Sequence, residues 1–424
     1  MKKKILSLLL VGVMVAGMLT GCGGDKKSDA SGDGTVELEL FSTKSENVKT
    51  LQGLIDKFTK KNPKVKITIT APSDAGTVLK TRLTKNDIPD IIACGGDTTY
   101  TELQSAGVLE DLSGEDYLSS VQDAYMQMLY DVNKEKEEDA YGVPYATNAS
   151  GILYNKDIFK KANIKVPTTW TELQAAVDTL EAAGIQPFEL TFKDNWTCLP
   201  AWNSMAPVIP AANFTDERKA GKTTFVGTHE EILEKYAYIL EHAQKDYMGT
   251  TYNDGNKLFA EGKAAMMING NWAIPEFLNS NADMNVDMFA FPSTDDASKN
   301  TVTSGIDVLF AVSSQSDDAK KEAAKEFVAF MMEKENAQQY IDEQFAFSAI
   351  DGVEQTNETV ASAQAAIAEG KVSNFPDHYY PSGFDLASIL SEFALNESKG
   401  MDLKKNMKNT LATCDEQYDA ANVE

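Results

Sequence analysis

Histidine and cysteine are scarce in this chain, which contains only three histidines and four cysteines in 424 residues. The histidines His229, His242 and His378 lie in no HExxH or similar zinc-binding spacing, and the cysteines form no CxxC pair. A metal-dependent hydrolase and a catalytic triad built on histidine are therefore poorly supported. We expect neither a metal site nor a cofactor.

Positively charged residues are outnumbered, since the chain contains 39 lysines and arginines but 64 aspartates and glutamates. Its formal net charge is −25. A surface of that sign argues against binding to nucleic acid and against electrostatic adhesion to anionic lipid. Hydrophobic residues are nevertheless plentiful, at 42% of the chain, so the chain is globular. Its length exceeds what one hydrophobic core organises, and we expect two lobes.

The N-terminus has the features of an export signal. Lys2, Lys3 and Lys4 precede an apolar stretch over residues 5–19, which is long enough for a signal peptide and short for a membrane span. The stretch ends in Leu-Thr-Gly-Cys, a sequence that resembles the bacterial lipobox. The resemblance implies cleavage before Cys22, acylation of its thiol and anchorage at the outer face of the cell membrane. A chance cysteine behind an ordinary signal peptide is the alternative.

A tether is predicted over residues 22–35, directly after the signal peptide of residues 1–21. Apart from the cysteine at its start, this segment contains small, charged and polar side chains. It cannot bury enough apolar surface to fold, so we predict a flexible connection. We expect the folded body to begin near Val36.

Alternating strand and helix patterns place the body in the α/β class. Val36, Leu38 and Leu40 alternate with charged residues, a helix-spaced apolar face follows over residues 48–58, and residues 65–69 alternate again. Such a βαβ unit predicts a parallel sheet. Strands continue to alternate with helices further along the chain.

Short patterns predict helix starts and a turn. Thr169 with Glu172, and Thr228 with Glu231, each match a capping box. The segment 252–256 reads Tyr-Asn-Asp-Gly-Asn but lacks the ligand spacing of a calcium-binding loop. We interpret it as a turn.

Five segments spread along the body carry a family resemblance. They read TRLTKNDIPDIIACGGD with LQSAGVLEDLS, YGVPYATNASGILYNKDIFKKANIKVPTTWTEL, FAEGKAAMMINGNWA, SGIDVLFAVSSQSDDAKKEAAKEFVAFMM and FPDHYYPSGFDLASIL. In this order they resemble family 1 extracellular solute-binding proteins, the group that contains the maltodextrin-binding proteins. The YNKD block and the GKAAM block are each fairly specific to that family.

The resemblance implies a periplasmic-binding-protein-like fold, with two α/β lobes and a ligand cleft between them. The lobes would be discontinuous, residues 36–147 with 305–350 and residues 148–304 with 351–424, and would close over ligand by a hinge motion. It also implies a monomer that captures a sugar or oligosaccharide outside the cell and delivers it to the permease subunits of an ABC importer. Such a protein is not an enzyme.

Sugar recognition needs aromatic rings for the apolar face of the ligand and polar side chains for its hydroxyls. Trp272 follows the predicted strand over residues 264–268 and a tight turn. The resemblance makes it the ring that stacks on sugar, and a core tryptophan is the alternative. Asn271 beside it is expected to bond to the ligand.

Polar residues at strand ends are further candidates. Asp97 and Thr98 follow the predicted strand over residues 91–93, at the edge where open α/β sheets bind ligands. Asp97 either binds a sugar hydroxyl or caps the next helix. Lys44 and Glu46 follow the first strand at the equivalent edge, and we expect polar contacts from both.

The resemblance extends the predicted site along the chain. Asn148 lies in the polar loop near the first crossing between lobes. Asp194, Asn195 and Trp196 fall where relatives place an acidic residue and a stacking aromatic. Asp307 interrupts an apolar run, so its carboxylate needs a partner in the hinge or in the ligand.

The fifth segment is expected to supply a second stacking ring. Tyr380, Phe384 and Asp385 fall at that place in relatives. Phenylalanine here replaces the tryptophan that is common in maltodextrin-binding proteins. The identity of the second ring, and with it the length of the ligand, stays open.

Two other functions compete with sugar capture. A binding protein for another solute, such as an oligopeptide, a polyamine, a compatible solute or an iron complex, would share the same fold. A lipid-anchored glycoside hydrolase would need two carboxylates about 5–5.5 or 6.5–9.5 Å apart. The family resemblance argues against the hydrolase.

Overall fold

A computed structural model of the chain describes residues 34–72, 74–133 and 138–422. The predicted signal peptide, Cys22 and nearly all of the predicted tether lie outside these ranges. Within them, no helix combines the length and the apolar character needed to cross a membrane.

Two β-sheets organise the body. The strands, in chain order, are β1 (Val36–Ser42), β2 (Val65–Thr70), β3 (Ile91–Cys94), β4 (Val143–Thr147), β5 (Ser150–Asn155), β6 (Gln186–Glu189), β7 (Ala264–Gly270), β8 (Val286–Phe289), β9 (Val302–Thr303), β10 (Ile306–Val312), β11 (Phe347–Ser348) and β12 (Val372–Ser373). The first sheet has the order β11-β4-β10-β3-β1-β2. The second has the order β12-β9-β5-β7-β6, and β8 pairs with β5.

Helices cover both sheets. They are α1 (Val48–Lys61), α2 (Ala75–Thr84), α3 (Thr98–Ser105), α4 (Asp123–Val132), α5 (Lys156–Lys161), α6 (Trp170–Ala182), α7 (Leu199–Met205), α8 (Phe214–Lys219), α9 (Glu230–Glu241), α10 (Tyr252–Ala260), α11 (Ile274–Ser280), α12 (Asp318–Met331), α13 (Lys334–Gln344), α14 (Ala361–Ala368), α15 (Leu386–Ser398) and α16 (Leu403–Ala421). The chain is therefore α/β, as its alternating patterns predict.

The first sheet is mixed. β1 pairs in parallel with β2 and with β3, which confirms the predicted βαβ unit. β10 runs antiparallel between β3 and β4, although it follows β4 by more than 150 residues in the chain. The first sheet therefore takes a central strand from a segment that follows β5 to β9 of the second sheet in the chain.

Apolar side chains on the inward faces of strands and helices form the core of the first lobe. On α1, Leu51, Leu54 and Phe58 are almost completely buried. The ring of Phe58 meets Phe327 of α12 edge to face, with centroids 5.3 Å apart. Burying a large apolar side chain of this kind contributes about 2 kcal/mol, so this helix is held by its apolar face.

The second lobe has its own aromatic core. Trp202 on α7 is fully buried and stacks on His229, with ring centroids 5.1 Å apart. Burial lowers the pKa of His229 to about 3, so its imidazole is neutral at physiological pH. Trp202 therefore belongs to the packing of this lobe.

The observed helix starts agree with one of the two predicted capping boxes. At α6, the Thr169 hydroxyl accepts from the Glu172 amide at 3.3 Å, as predicted. The prediction at Thr228 is wrong, because its hydroxyl donates to the Thr224 carbonyl at 2.6 Å and α9 begins after His229. The predicted turn over residues 252–256 is also wrong, since these residues form the first turns of α10.

The chain passes from one sheet to the other between β4 and β5 and again between β9 and β10. These two linking segments are residues 148–149 and residues 304–305. We propose that these segments mark the boundaries between the two lobes. We also propose that the chain crosses back to the second lobe after β11.

Candidate functional site

Lys44 lies in the loop after β1, between two carboxylates. Its Nζ is 2.9 Å from Asp307 Oδ1 and 3.2 Å from Glu46 Oε1. All three side chains are largely buried, at 17% exposed for Lys44, 8% for Asp307 and 12% for Glu46. Burial disfavours the ammonium, but the carboxylates of Asp307 and Glu46 outweigh it and raise the pKa of Lys44. The lysine is therefore a fixed cation.

Trp272 lies in a short 3-10 turn directly after β7. Its indole is partly exposed, and its ring centroid is 5.6 Å from Lys44 Nζ. A β-carbon at Gly270 would overlap the indole ring, so glycine is required there by close approach. The end of β7 thus presents a tryptophan face toward the lysine of the first lobe.

Asn148 joins the two linking segments. Its Nδ2 donates to Asp307 Oδ1 at 2.9 Å, and its Oδ1 accepts from the Gly305 amide at 3.3 Å. The Ser304 hydroxyl donates to the Asn148 carbonyl at 2.6 Å. Asp307 therefore has the partner that its position in an apolar run requires, and that partner lies in the hinge region.

Asn271 is fully buried beside Trp272. Its Oδ1 accepts from the Ala149 amide at 2.6 Å, and its Nδ2 donates to the Phe345 carbonyl at 2.9 Å. Both ends of the amide are therefore bonded to backbone.

Asp97 caps α3, because its Oδ1 accepts from the Thr99 amide at 2.8 Å. Asp97 and Thr98 are both partly exposed, so capping leaves the second carboxylate oxygen of Asp97 for another partner. Asp377, from the fifth segment, lies within its electrostatic reach. Burial raises the pKa of Asp377, His378 opposes this rise, and the charge of Asp97 adds to it.

The segment around Trp196 contacts α10. Asp194 Oδ2 accepts from the Tyr252 amide at 2.6 Å, and the rings of Trp196 and Tyr252 are 5.0 Å apart. Trp196 is 40% exposed, which is unusual for a tryptophan. Asn195 Nδ2 donates to Ser388 Oγ at 3.3 Å.

Tyr252 contacts Trp196 and lies within electrostatic reach of Glu46 and Lys44. Burial raises the pKa of its phenol, and the negative charge of Glu46 raises it further. Its hydroxyl lies within bonding reach of the side chain of Asn256, one turn later on α10, and both groups are buried. These two buried polar groups therefore partner each other.

The predicted residues of the fifth segment pack elsewhere. Tyr380 and Phe384 are buried, with their rings 5.4 Å apart, in contact with Phe225 and Tyr418. Asp385 caps α15 by accepting from the Ser388 amide at 3.1 Å. In this structure these three side chains form the aromatic core and a helix cap of the second lobe.

The fold thus brings together Lys44, Glu46, Asn148, Asp307 and Trp272, which we name the hinge cluster. Sequence reasoning missed Tyr252 and Asp377. The only signal for Tyr252 was its position after a possible cap, Thr251, whose hydroxyl accepts from the Asp254 amide at 3.1 Å. Within the described ranges, no three histidine, cysteine or acidic side chains are grouped as a metal site would require.

Comparison with known proteins identifies the family. Residues 42–338 match the bacterial extracellular solute-binding protein family. The multiple sugar-binding protein of Streptococcus mutans is 32% identical over 361 residues, 83% of each chain. The melibiose/raffinose/stachyose-binding protein MelE of Bacillus subtilis is 22% identical over 79% of this chain and 77% of its own.

A solved structure gives the same result for the fold. The solute-binding protein RafE in complex with raffinose is similar to 91% of this chain and 100% of its own, at 27% identity and a TM-score of 0.76. The family match alone covers more than half of the sequence. The chain therefore belongs to the bacterial extracellular solute-binding proteins, a two-lobed α/β family.

Proposed function

We propose that this protein captures an oligosaccharide outside the cell and delivers it to an ABC importer. The observation that carries the proposal is the partly exposed indole of Trp272, held at the end of β7 beside buried polar side chains. An aromatic face next to hydrogen-bonding groups is the combination that binds sugars. The protein would bind its ligand without converting it.

The arrangement supports specific roles for the predicted residues. The sugar would stack on Trp272, and its hydroxyls would bond to Glu46 and Asp97. Trp196 would offer a second, more exposed face.

A ligand of the raffinose type is the first choice. Two of the similar proteins are named for it or were solved with it. Raffinose is uncharged, which suits the hinge cluster, because Lys44 is already paired with two carboxylates and has no charge to spare for an anion. We also propose that the protein is a monomer anchored by acylated Cys22.

The test is titration calorimetry of the purified chain against raffinose, stachyose, melibiose, maltotriose and a uronic acid. We expect one of the neutral sugars to bind and the uronic acid not to bind. Chromatography of the sugar after long incubation checks for hydrolysis. No binding by any neutral sugar, or release of products, would refute the proposal.

A further inference from the structure

The side chain of Asn271 joins three parts of the molecule. It is carried by the turn that ends β7, and it bonds to Ala149 in a linking segment and to Phe345 at the end of α13. The backbone repeats the first of these contacts, because the Asn271 amide donates to the Ala149 carbonyl at 3.0 Å. Asn271 therefore attaches the turn that carries Trp272 to the hinge and to the first lobe.

The acceptor at Phe345 is itself unusual. Phe345 has a φ of +52°, in the left-handed region that residues with a side chain seldom adopt. This conformation ends α13 and directs its carbonyl to the Asn271 amide. A strained residue persists only where its surroundings hold it, and the bond from Asn271 is part of that support.

A second series of contacts connects the turn that carries Trp272 with the linking segments. Trp272 faces Lys44, Lys44 pairs with Asp307, and Asp307 accepts from Asn148, which is adjacent to Ala149. These contacts close into a ring through Ala149, which follows Asn148 in the chain and bonds to Asn271. Every member except Trp272 is largely or fully buried.

We propose that Asn271 is a positioning residue that fixes Trp272 against the hinge, so that a ligand seated on the indole also acts on the linking segment. Because its side chain is fully buried and both ends of the amide are bonded to backbone, we expect it to act on the indole and not to bind the ligand directly. This inference rests on the proposed sugar-binding function only for its effect on affinity.

The first experiment needs no sugar. The fluorescence emission of Trp272 is isolated by subtracting the spectrum of W272F from that of the parent protein. The same subtraction is then made in the N271A background, with N271A and N271A/W272F. The same pair is measured in N269A, a matched control, because Asn269 is also buried but its side chain bonds to Gly270 and Met267 within its own strand, β7. We expect N271A to shift the Trp272 difference spectrum and N269A to leave it unchanged.

The second experiment measures affinity for raffinose, or for whichever sugar binds in the panel, and closure by small-angle X-ray scattering. We expect N271A to bind about tenfold or more weakly and to close less completely. N269A should stay within about threefold of the parent protein. If N271A does not fold, N271D is used, since it keeps the acceptor for Ala149 and loses the donor to Phe345.

The outcomes separate this inference from the proposed function. If no sugar binds, sugar capture is refuted, but the spectra still test the role of Asn271. If folded N271A, or N271D in its place, has the parental Trp272 difference spectrum and the parental affinity, the positioning role is refuted. A shifted spectrum in N269A of the same size would also refute it.

Discussion

The ammonium of Lys44 lies 5.6 Å from the centroid of the Trp272 ring, and these two residues follow strands of different sheets. Contact between a cation and an indole face contributes about 1 kcal/mol at a partly exposed site. The two lobes thus meet at the residue that we propose to stack on sugar.

Replacement of Trp272 by alanine should weaken sugar binding by about thirtyfold or more, because the ring is the central aromatic surface of the site. Calorimetry measures the loss. W170F serves as the control, since Trp170 packs on Tyr238 of the second lobe, with ring centroids 5.3 Å apart. Parental affinity in W272A would remove Trp272 from the site.

Replacement of Gly270 by alanine should act on the same ring indirectly. The added methyl group would overlap the Trp272 indole and displace it, so affinity should fall by about tenfold. G76A is a matched control, because a β-carbon at Gly76 in α2 meets no atom of the described part of the chain within 4 Å. An unchanged affinity in G270A would show that the indole position is not critical.

The variant K44M should lower the free energy of unfolding by about 3 kcal/mol, because it leaves the Asp307 and Glu46 carboxylates buried without their cation. Denaturant titration measures this change. The double variant K44M/D307N should recover part of the loss, since it removes one of the stranded charges. If the change in the free energy of unfolding in the double variant equals the sum of the changes in K44M and D307N, Lys44 and Asp307 are not coupled.

Glu189, at the end of β6, should make the free energy of unfolding depend on pH. Burial raises the pKa of its carboxyl from 4.5 to about 7, and its Oε1 has no hydrogen-bond partner among the residues that the structure describes. Because the folded state holds the proton more tightly, its contribution to stability is present below about pH 4.5 and is lost as the pH rises through 7.

The variant E189Q removes this titration. At pH 9 it should be more stable than the parent protein, by up to about 3 kcal/mol, and the two should converge near pH 4.5. Thermal unfolding across this pH range measures the difference, with E241Q on the exposed end of α9 as the control. A difference between parent and E189Q that does not grow with pH would contradict the raised pKa.

The lipid anchor is tested by C22A. We expect the parent protein in the membrane fraction of the native host and C22A in the soluble or secreted fraction, because the acyl chains supply the membrane affinity. Mass spectrometry of the mature N-terminus provides a direct check. Membrane association that persists in C22A would refute the anchor.

Sequence patterns predict much of this fold. Val36, Leu38 and Leu40 alternate because one face of β1 packs on α12, and that period is visible in the sequence. The family-specific blocks predict Trp272 and Asn148 as site residues, and the fold places both at the seam between the sheets.

Other features depend on contacts that no local pattern reveals. The partnership of Lys44 with Asp307 joins residues more than 250 positions apart, and Asn271 is directed inward by Ala149 and Phe345. The inward packing of Phe384 follows from its neighbours Phe225 and Tyr418, which lie on separate segments. Periodicity shows which faces are apolar, but it does not show which faces meet.

The position of β10 between β3 and β4 also has a consequence for biosynthesis. Until residue 312 has been made, the inner edges of β3 and β4 have no strand to pair with. The first lobe therefore cannot complete its sheet while the preceding 300 residues are crossing the membrane. We expect this late central strand to delay folding of the first sheet until most of the chain has emerged, because pairing between distant segments is slow.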